Sequence, residues 1–410
     1  MNPDMFQDAF GHSPTVRVFC PGYLNLIGEH IVDHGYGTIS IATDIGTEIL
    51  IAPNGRSDIH IRNTDEEYRE HILESPAEWK GTSSPKWYEY VLAGWKSVVD
   101  KLKISAAGLD ILMEGWIPSS VGLSSSSAIV CAAVLASWAV YTGNGFEGLS
   151  RDELTDMCIK GENYVGNCGE RLVHLTQILA RDDMGVRFDS FPLISHQVTI
   201  PPIAVFEVLH SGVKSQKVYH TRELRFTEGK IAAKLLLKMA GNDSACVRLR
   251  DAQEALGKRL EEMLASCENL PETITREELE KLLGADQLAE CLSEETSNVD
   301  EFKIRSTASY VFTEAQRVNR FERACERGDL FAMGAIFNES HEAFNRDFER
   351  CDNDIDKLVT RCRMSHSYGA HISGWSGMVV ALIDDIRPVY LGDKLVYHAF
   401  ASSGAAIEFL

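Results

Sequence analysis

The sequence predicts an α+β fold divided into two domains, and three observations support this prediction. A chain of 410 residues, 44% hydrophobic and 24% charged, can bury a sizeable core and forms two domains more readily than one or three. Strand patterns are frequent in the first half, whereas amphipathic helices dominate the second. Near this change, prolines bracket a new strand in "SFPLISHQVTIPPIAVFEVLHSG". We therefore predict domains at residues 1–195 and 196–410.

The first domain is predicted to combine a mainly antiparallel sheet with several helices. Alternation and β-branched residues between Gly and Pro breaks indicate strands, and apolar residues at helical spacing indicate helices. The segment "GENYVGNCGERLVHLTQILARDDMG", residues 161–185, has the pattern of a helix, an irregular turn and a second helix. The predicted strands cover residues 16–21, 37–53, 58–63 and 108–118, and the other predicted helices cover 86–102, 124–142 and 151–166.

The second domain is predicted to be mostly helical, with few strands. Successive segments repeat apolar residues at helical spacing, and only two late segments alternate as strands do. Predicted helices cover residues 223–240, 248–267, 275–285, 306–328, 330–344 and 353–365, and the late strands cover 377–384 and 394–400.

Charge and composition exclude several classes of function. A formal net charge of -20 repels both a nucleic-acid backbone and an anionic membrane surface, so we expect neither as a direct partner. The N-terminus lacks the pattern of a secretory signal, and no stretch approaches the length of a transmembrane helix. Ten cysteines scattered singly fit a reducing compartment. We therefore expect a cytoplasmic protein.

A glycine followed by four serines is the first chemical signal, in "IPSSVGLSSSSAIVCAAVLA". The first N–H groups of a helix lack intrahelical partners and, together with the helix dipole, form an anion site. A plain serine N-cap on a buried helix is the alternative, but a cap accounts for one serine rather than four. We name these residues the serine segment and predict that they bind a phosphate: Gly122, Leu123, Ser124, Ser125, Ser126 and Ser127.

A second signal is "VFCPGYLNLIGEHIVDHGYG", in which a Pro-Gly turn leads into an apolar stretch and then a polar pair. Glu29 and His30 form that pair. A surface turn with incidental polar residues is the alternative interpretation. The presence of the serine segment in the same chain weakens that alternative.

These motifs resemble those of a known family. "PGYLNLIGEH" is similar to the galactokinase signature "PGRVNLIGEH", and "GLSSSSA" matches the phosphate-binding motif of the wider GHMP kinases. The resemblance extends over nearly the whole chain and is strongest to the N-acetylgalactosamine kinase branch. It implies the two-domain GHMP kinase fold, with an N-terminal domain like ribosomal protein S5 domain 2 and a helix-rich, ferredoxin-like C-terminal domain.

The resemblance also implies an activity, the transfer of the γ-phosphoryl of MgATP to the anomeric hydroxyl of a galactose-type sugar. Galactokinases are held to use an Asp and an Arg for this step. By position these fall on Val173 and Tyr23, and neither side chain can replace the charge that is lost. A slip of one residue in the alignment would offer His174 as a substitute base.

The positions that the family uses for the sugar are altered as well. Glu29 and His30 remain, but a family Asp falls on Val32, with Asp33 one place further on. A family Gly falls on Glu170, a sugar-contacting Tyr falls near Arg222, and the late glycine motif is shortened to "SGWSG". Only the serine segment keeps the family pattern.

Together these departures predict a pseudokinase, a galactokinase-like protein that acts by binding, as a sensor or a regulator of a protein partner. Loss of a general base costs about 10²- to 10⁴-fold in rate, and loss of a positioned cation costs about 10³- to 10⁵-fold. The expected ligands are a sugar or nucleotide, with ATP and Mg²⁺ bound weakly or no longer, and Ser126 as the Mg²⁺ ligand. The alternative is an active sugar 1-kinase in which His174 or Asp33 serves as an unorthodox base.

Overall fold

A computed structural model shows a chain whose contacts divide it into two units. The first unit comprises Met1–Leu24, Ile41–Met184 and Phe400–Leu410, and the second comprises Asn25–Ser40 and Gly185–Ala399. Helices and sheets occur in both units, which confirms the α+β prediction. The boundary at residue 195 stays a prediction about domains. The structure describes residues 1–105, 107–118, 122–167, 169–213, 218–348, 351–374, 377–384 and 394–410.

The sheet of the first unit contains the strands predicted from alternating residues. Its order is β14-β1-β2-β5-β3-β4, with β3 parallel to β5 and the β1–β14, β2–β5 and β3–β4 pairs antiparallel. Two strands were missed, because β4 and β14 are short and partly exposed. The bounds are β1 Val16–Ile27, β2 Thr38–Pro53, β3 Ile59–Asn63, β4 His71–Leu73, β5 Leu109–Gly115 and β14 Ala406–Phe409.

Four helices of the first unit, α2 to α5, form one packed group around α3. This helix contacts α2, α4 and α5, and its many alanines allow close approach. The predicted helices are confirmed, and a short N-terminal helix, α1, is added to them. The bounds are α1 Pro3–Phe10, α2 Trp87–Leu102, α3 Ser125–Thr142, α4 Arg151–Tyr164 and α5 Arg171–Leu179.

Helix α3 corrects one expectation from the sequence. Among the described residues it is the one helix long and apolar enough to cross a membrane, with 18 residues and a mean hydropathy of 1.5. The expectation that no stretch reaches this length was therefore wrong. Of its residues, 67% are buried inside the protein. A core helix enclosed by other elements is apolar on all sides because no side faces water, and a membrane-spanning helix is apolar for the same reason.

The second unit holds a four-stranded sheet in the order β11-β12-β8-β13, with antiparallel pairs throughout. Strand β6 pairs with residues 38–40 of β2 and with β7. The bounds are β6 Met184–Ser190, β7 Leu193–Thr199, β8 Ala204–His210, β9 Thr273–Thr275, β10 Glu301–Lys303, β11 Gly369–Ser373, β12 Met378–Asp384 and β13 Leu395–Ala399.

Eight helices of the described chain complete the second unit, and α11 packs against α6, α8 and α12. The single helix predicted over residues 248–267 is two helices, because Gly257 takes a left-handed conformation with φ +61° and ends the first. The bounds are α6 Val218–Met239, α7 Leu249–Leu256, α8 Leu260–Cys267, α9 Arg276–Leu283, α10 Ala285–Ala289, α11 Arg305–Glu326, α12 Leu330–Ala343 and α13 Asn353–Met364.

Candidate functional site

The serine segment enters helix α3 through an unusual backbone conformation. Gly122 has φ +79°, and Ser124 has φ +55° and ψ +46°, a left-handed conformation that is uncommon for a residue with a side chain. Ser124 is the N-cap residue of α3, but its side chain makes no cap hydrogen bond. Left-handed residues other than glycine cost free energy and concentrate at functional sites. The N-terminal N–H groups of α3 are thus available to an anion.

A cavity of about 850 Å³ lies beside the serine segment within the first unit. This volume falls within the range of small-molecule sites, about 300–1,000 Å³. Four aromatic residues line it, together with four residues of the serine segment: Tyr68, Trp87, Tyr90 and Trp116, and Gly122, Ser124, Ser125 and Ser126. The rings of Tyr68 and Trp87 meet edge to face with centroids 5.9 Å apart. The cavity therefore pairs aromatic surface with hydroxyl and N–H donors.

Ser127 turns away from the cavity and donates a hydrogen bond to the carboxylate of Glu162 on α4. Glu162 is only 3% exposed. Carboxylate and hydroxyl oxygens are ligands that Mg²⁺ accepts, so this pair fits a Mg²⁺ site next to a phosphate. Glu162 was not predicted from the sequence, although a Glu on the apolar face of α4 was a signal. Ser126 as the Mg²⁺ ligand stays a prediction, and Ser127 is the serine that reaches a carboxylate.

Val173 and His174 lie side by side in α5, and both are buried. Val173 is 5% exposed, and His174 is fully buried with Nε2 3.7 Å from Oε2 of Glu162. Burial lowers the pKa of His174, but the neighbouring Cys131 and Glu162 together raise it to about 9. A histidine that is protonated at neutral pH cannot accept a proton there. This argues against His174 as a substitute base.

Three other residues at family positions lie on the surface or in the backbone framework of the first unit. The N–H of Tyr23 in β1 donates to the carbonyl of Leu123 at 3.2 Å, which ties β1 to the serine segment. Glu170 is exposed at the start of α5. Arg171 forms ion pairs with Asp152 and Asp156 of α4, so its guanidinium belongs to the helix surface.

Glu29 lies in the second unit, where polar groups of the same unit surround its carboxylate. Asn25 donates at 2.7 Å, the Gly374 N–H donates at 3.0 Å, and the Ser373 hydroxyl donates at 3.3 Å. We call these four residues the Glu29 cluster. Burial raises the pKa of Glu29 to about 7, against the lowering effect of its donors. The remaining middle residues of "SGWSG", Trp375 and Ser376, lie outside the described residues.

His30 and Asp33 also face partners within the second unit. The His30 ring stacks on Phe348, with centroids 5.9 Å apart and planes 2° apart, and it packs against Phe344. Burial, followed by the charge of Arg222, lowers the pKa of His30 to about 3, so the ring is neutral at neutral pH. Arg222 donates to both carboxylate oxygens of Asp33 at 3.0 and 3.3 Å, which occupies the other candidate base.

Two family models match the chain. Residues 89–170 match the GHMP kinases N terminal domain, and residues 4–53 match the galactokinase galactose-binding signature. These segments include the serine segment, Glu162, Tyr23 and Glu29. The family models support the GHMP kinase superfamily and, within it, the galactokinase family.

Curated relatives and solved structures agree with these matches. A galactokinase of Dictyostelium discoideum is 28% identical, with 95% of this chain and 85% of the relative aligned. A galactokinase of Pasteurella multocida is 28% identical over 92% of this chain and 88% of its own length. The galactokinase of Lactococcus lactis, crystallised with galactose, has a TM-score of 0.74 at 20% identity, with 98% of both chains covered.

A mevalonate kinase of Methanococcus jannaschii has a TM-score of 0.61 at 14% identity, over 95% of this chain and 99% of its own. These neighbours confirm the predicted two-domain GHMP kinase fold. The N-acetylgalactosamine kinase branch stays a prediction.

Proposed function

We propose that this chain, which is similar to galactokinases, is a nucleotide-binding pseudokinase. It binds MgATP at the serine segment and transfers phosphoryl groups to sugars slowly or not at all. The observation that carries the proposal is Val173, an apolar and buried side chain at the position of the family's catalytic Asp.

Nucleotide binding is supported by the cavity and by the pair beside it. A helix N-terminus with free N–H groups suits phosphates, and the aromatic walls formed by Tyr68 and Trp87 suit a base. Ser127 and Glu162 supply oxygen ligands for Mg²⁺. The chain's own residues thus retain the means to bind a triphosphate and to hold the Mg²⁺ that would accompany it.

Loss of transfer is supported by the groups that would activate the acceptor. Phosphoryl transfer needs a group to receive the hydroxyl proton and cations to stabilise charge. Val173 can do neither, Tyr23 carries no positive charge, and the carboxylate of Asp33 is paired with Arg222. The polar groups of the Glu29 cluster bind one another, so a sugar would have to displace them.

The second candidate is an active ATP-dependent sugar 1-kinase, of the galactose or N-acetylgalactosamine type. The Ser127–Glu162 pair supports it, because a Mg²⁺ ion held by these oxygens would stabilise the charge that develops during phosphoryl transfer. This candidate works by positioning MgATP and the sugar alone, without a proton acceptor.

A turnover assay separates the two candidates. ADP release from MgATP is measured with galactose and with N-acetylgalactosamine, beside an active galactokinase at the same concentration. We expect turnover at least about 10³-fold below that of the active enzyme. Turnover near that of the active enzyme, abolished by Glu162→Gln, would establish the active kinase instead.

Calorimetry with MgATP tests the binding half of the proposal separately. We expect saturable heat that depends on Mg²⁺ and is weakened by Glu162→Gln. If no heat is measured at millimolar MgATP, the protein does not bind the nucleotide and acts only as a structural partner of another protein.

We propose that the protein is located in the cytoplasm, since nine cysteines of the described chain are free and buried. We propose a regulatory protein as its partner.

A further inference from the structure

A group of metal-binding side chains lies inside the helical part of the first unit, apart from the cavity. Cys131 of α3, Cys158 of α4 and His174 of α5 bring two thiol sulfurs and an imidazole nitrogen within 4.8 Å of one another. All three residues are buried, and α3, α4 and α5 pack against one another. Three separate helices therefore converge on one point with ligand atoms.

The distances suit a tetrahedral Zn²⁺ ion. Zinc binds sulfur at about 2.3 Å and imidazole nitrogen at about 2.0 Å, so neighbouring ligand atoms of a tetrahedron lie roughly 3.5 to 3.8 Å apart. Small side-chain rotations close the remaining gap. Thiolate and imidazole ligands select Zn²⁺ over Mg²⁺ or Ca²⁺, which prefer oxygen.

His174 gives a second, independent indication of a missing ligand. Its ring is fully buried, and neither ring nitrogen has a hydrogen-bond partner within the described part of the chain. Leaving a buried polar group without a partner costs about 1–3 kcal/mol. The nearest carboxylate oxygen, Oε2 of Glu162, is 3.7 Å from Nε2. A carboxylate beside a metal-bound histidine is the usual arrangement for orienting the ring.

Cys20 is the candidate for a fourth ligand, although its sulfur lies outside the group of atoms within 4.8 Å of one another. It is fully buried in β1, where its thiol donates to the carbonyl of Pro21 at 3.8 Å, and the neighbouring Cys131 contributes to raising its pKa. Buried free cysteines often act only as small apolar side chains. Two thiols beside a buried imidazole that has no hydrogen-bond partner in the described chain do not have that simple explanation, because apolar packing has no use for the imidazole.

We propose that Cys131, Cys158 and His174, with Cys20 as the fourth ligand, bind a structural Zn²⁺ ion that joins α3, α4 and α5. On binding, the thiols and the protonated imidazole of His174 release their protons to solvent, and the neutral imidazole and the thiolates bind the ion. The ion fastens α5, and with it the Val173 position, to the helix that begins at the serine segment. The two proposals share Glu162, but zinc content and the effect of a chelator on Tm are measured without nucleotide and therefore test this site alone.

The first experiment measures metal in the full-length, untagged and reduced protein. Inductively coupled plasma mass spectrometry is expected to find about one zinc per chain. Removal by a chelator is expected to lower Tm, and ZnCl₂ is expected to restore it. Co²⁺ added to the metal-free protein is expected to give the visible bands of a tetrahedral thiolate complex. Zinc-free protein whose Tm is unaffected by ZnCl₂, and which gives no such bands, would overturn the proposal.

Variants then assign the ligands. Cys158→Ala is expected to abolish zinc binding, so that its Tm no longer changes with chelator. Cys267→Ala, at a buried free cysteine of the second unit, is the matched control and is expected to keep both the zinc and the chelator effect. Equal zinc content in the two variants would contradict the site. Cys20→Ala is expected to lower zinc affinity about 10- to 100-fold, and unchanged affinity would remove Cys20 from the ligand set.

Discussion

The serine segment and the Glu29 cluster both carry family motifs, but their polar groups face different surroundings. Four residues of the serine segment line a cavity, and Ser124 holds a left-handed backbone conformation there. The carboxylate of Glu29 is instead buried and accepts hydrogen bonds from Asn25, Ser373 and Gly374 of its own unit. A motif fixes which groups are present, whereas burial and internal partners decide whether a ligand can reach them.

Val173 resembles Glu29 in this respect, because its side chain is buried inside the protein and is not exposed to a ligand. The contrast is therefore between an open phosphate-binding segment and acceptor positions that have become part of the protein interior. Four changes test this contrast, and they are ordered by the size of the effect that we expect.

Val173→Asp is expected to have the largest effect, because it places a carboxylate in a packed and apolar position. We expect a loss of about 3 to 5 kcal/mol in the free energy of unfolding at pH 8, the cost of an uncompensated buried charge. Urea denaturation measures it. The loss is expected to shrink at pH 5, where the carboxyl can take up a proton.

Val173→Thr is the matched control and is expected to cost only about 1 to 2 kcal/mol. A loss below about 1 kcal/mol for Val173→Asp would mean that water reaches this position. Sugar kinase turnover in the double variant Val173→Asp with Tyr23→Arg would mean that only the catalytic side chains are missing and that a sugar can still reach the site.

Glu29→Gln tests whether the Glu29 cluster is closed, through the pH dependence of stability. The folded pKa of Glu29, about 7, lies above its unfolded value near 4.5. The native state therefore binds the extra proton, and this contribution to stability is full below about pH 4.5 and is lost as the pH rises through 7. Relative to Glu29→Gln, the natural protein is expected to lose about 2 to 3 kcal/mol between pH 5 and pH 8.

Comparing the two proteins at each pH isolates Glu29, because the depressed pKa of His30 acts with the opposite sign and is present in both. Glu326→Gln, at an exposed carboxylate of α11, is the control and is expected to follow the natural profile. Parallel profiles for Glu29→Gln and the natural protein would show a hydrated Glu29, open to a sugar.

Ser127→Ala tests the serine segment and its contact with Glu162, and it is expected to weaken MgATP binding about tenfold. The change removes an oxygen beside Glu162, and a hydrogen bond to a charged group is worth about 1.5 kcal/mol at the lower end. Calorimetry with and without Mg²⁺ measures it. Ser126→Ala is expected to change affinity less, and the reverse order would assign the Mg²⁺ to Ser126, as the sequence predicted.

Much of the fold followed from local patterns, because alternation and helical spacing are local properties of the chain. The core strands and the helices around α3 were predicted in place. The missed elements are short or partly exposed, such as α1 and β14, where little burial shapes the sequence. The break at Gly257 was missed because both flanking helices are amphipathic, and one left-handed glycine separates them.

The residue types of the candidate site were predictable from the sequence, but the contacts between them were not. Gly122 and the serines were found by their run, and the cavity beside them agrees. Glu162 was missed because it pairs with Ser127 over 35 positions of sequence, a distance that no local pattern spans. The Cys131–His174 neighbourhood was missed for the same reason, since its members lie singly on three helices.

The Asp33–Arg222 ion pair is expected to give the smallest effect. Both side chains are more than one-third exposed, at 36% and 39%, so water screens their attraction although the geometry is bidentate. A double-mutant cycle of Asp33→Asn and Arg222→Met, measured by urea denaturation, is expected to give a coupling below about 1 kcal/mol. The exposed Arg320–Glu339 pair, also bidentate, is a reference of similar size. A coupling of Asp33 with Arg222 well above this reference would mean that the pair is desolvated. Asp33 would then be as closed to a sugar as Glu29, whereas a weak coupling leaves its carboxylate free to exchange Arg222 for another partner.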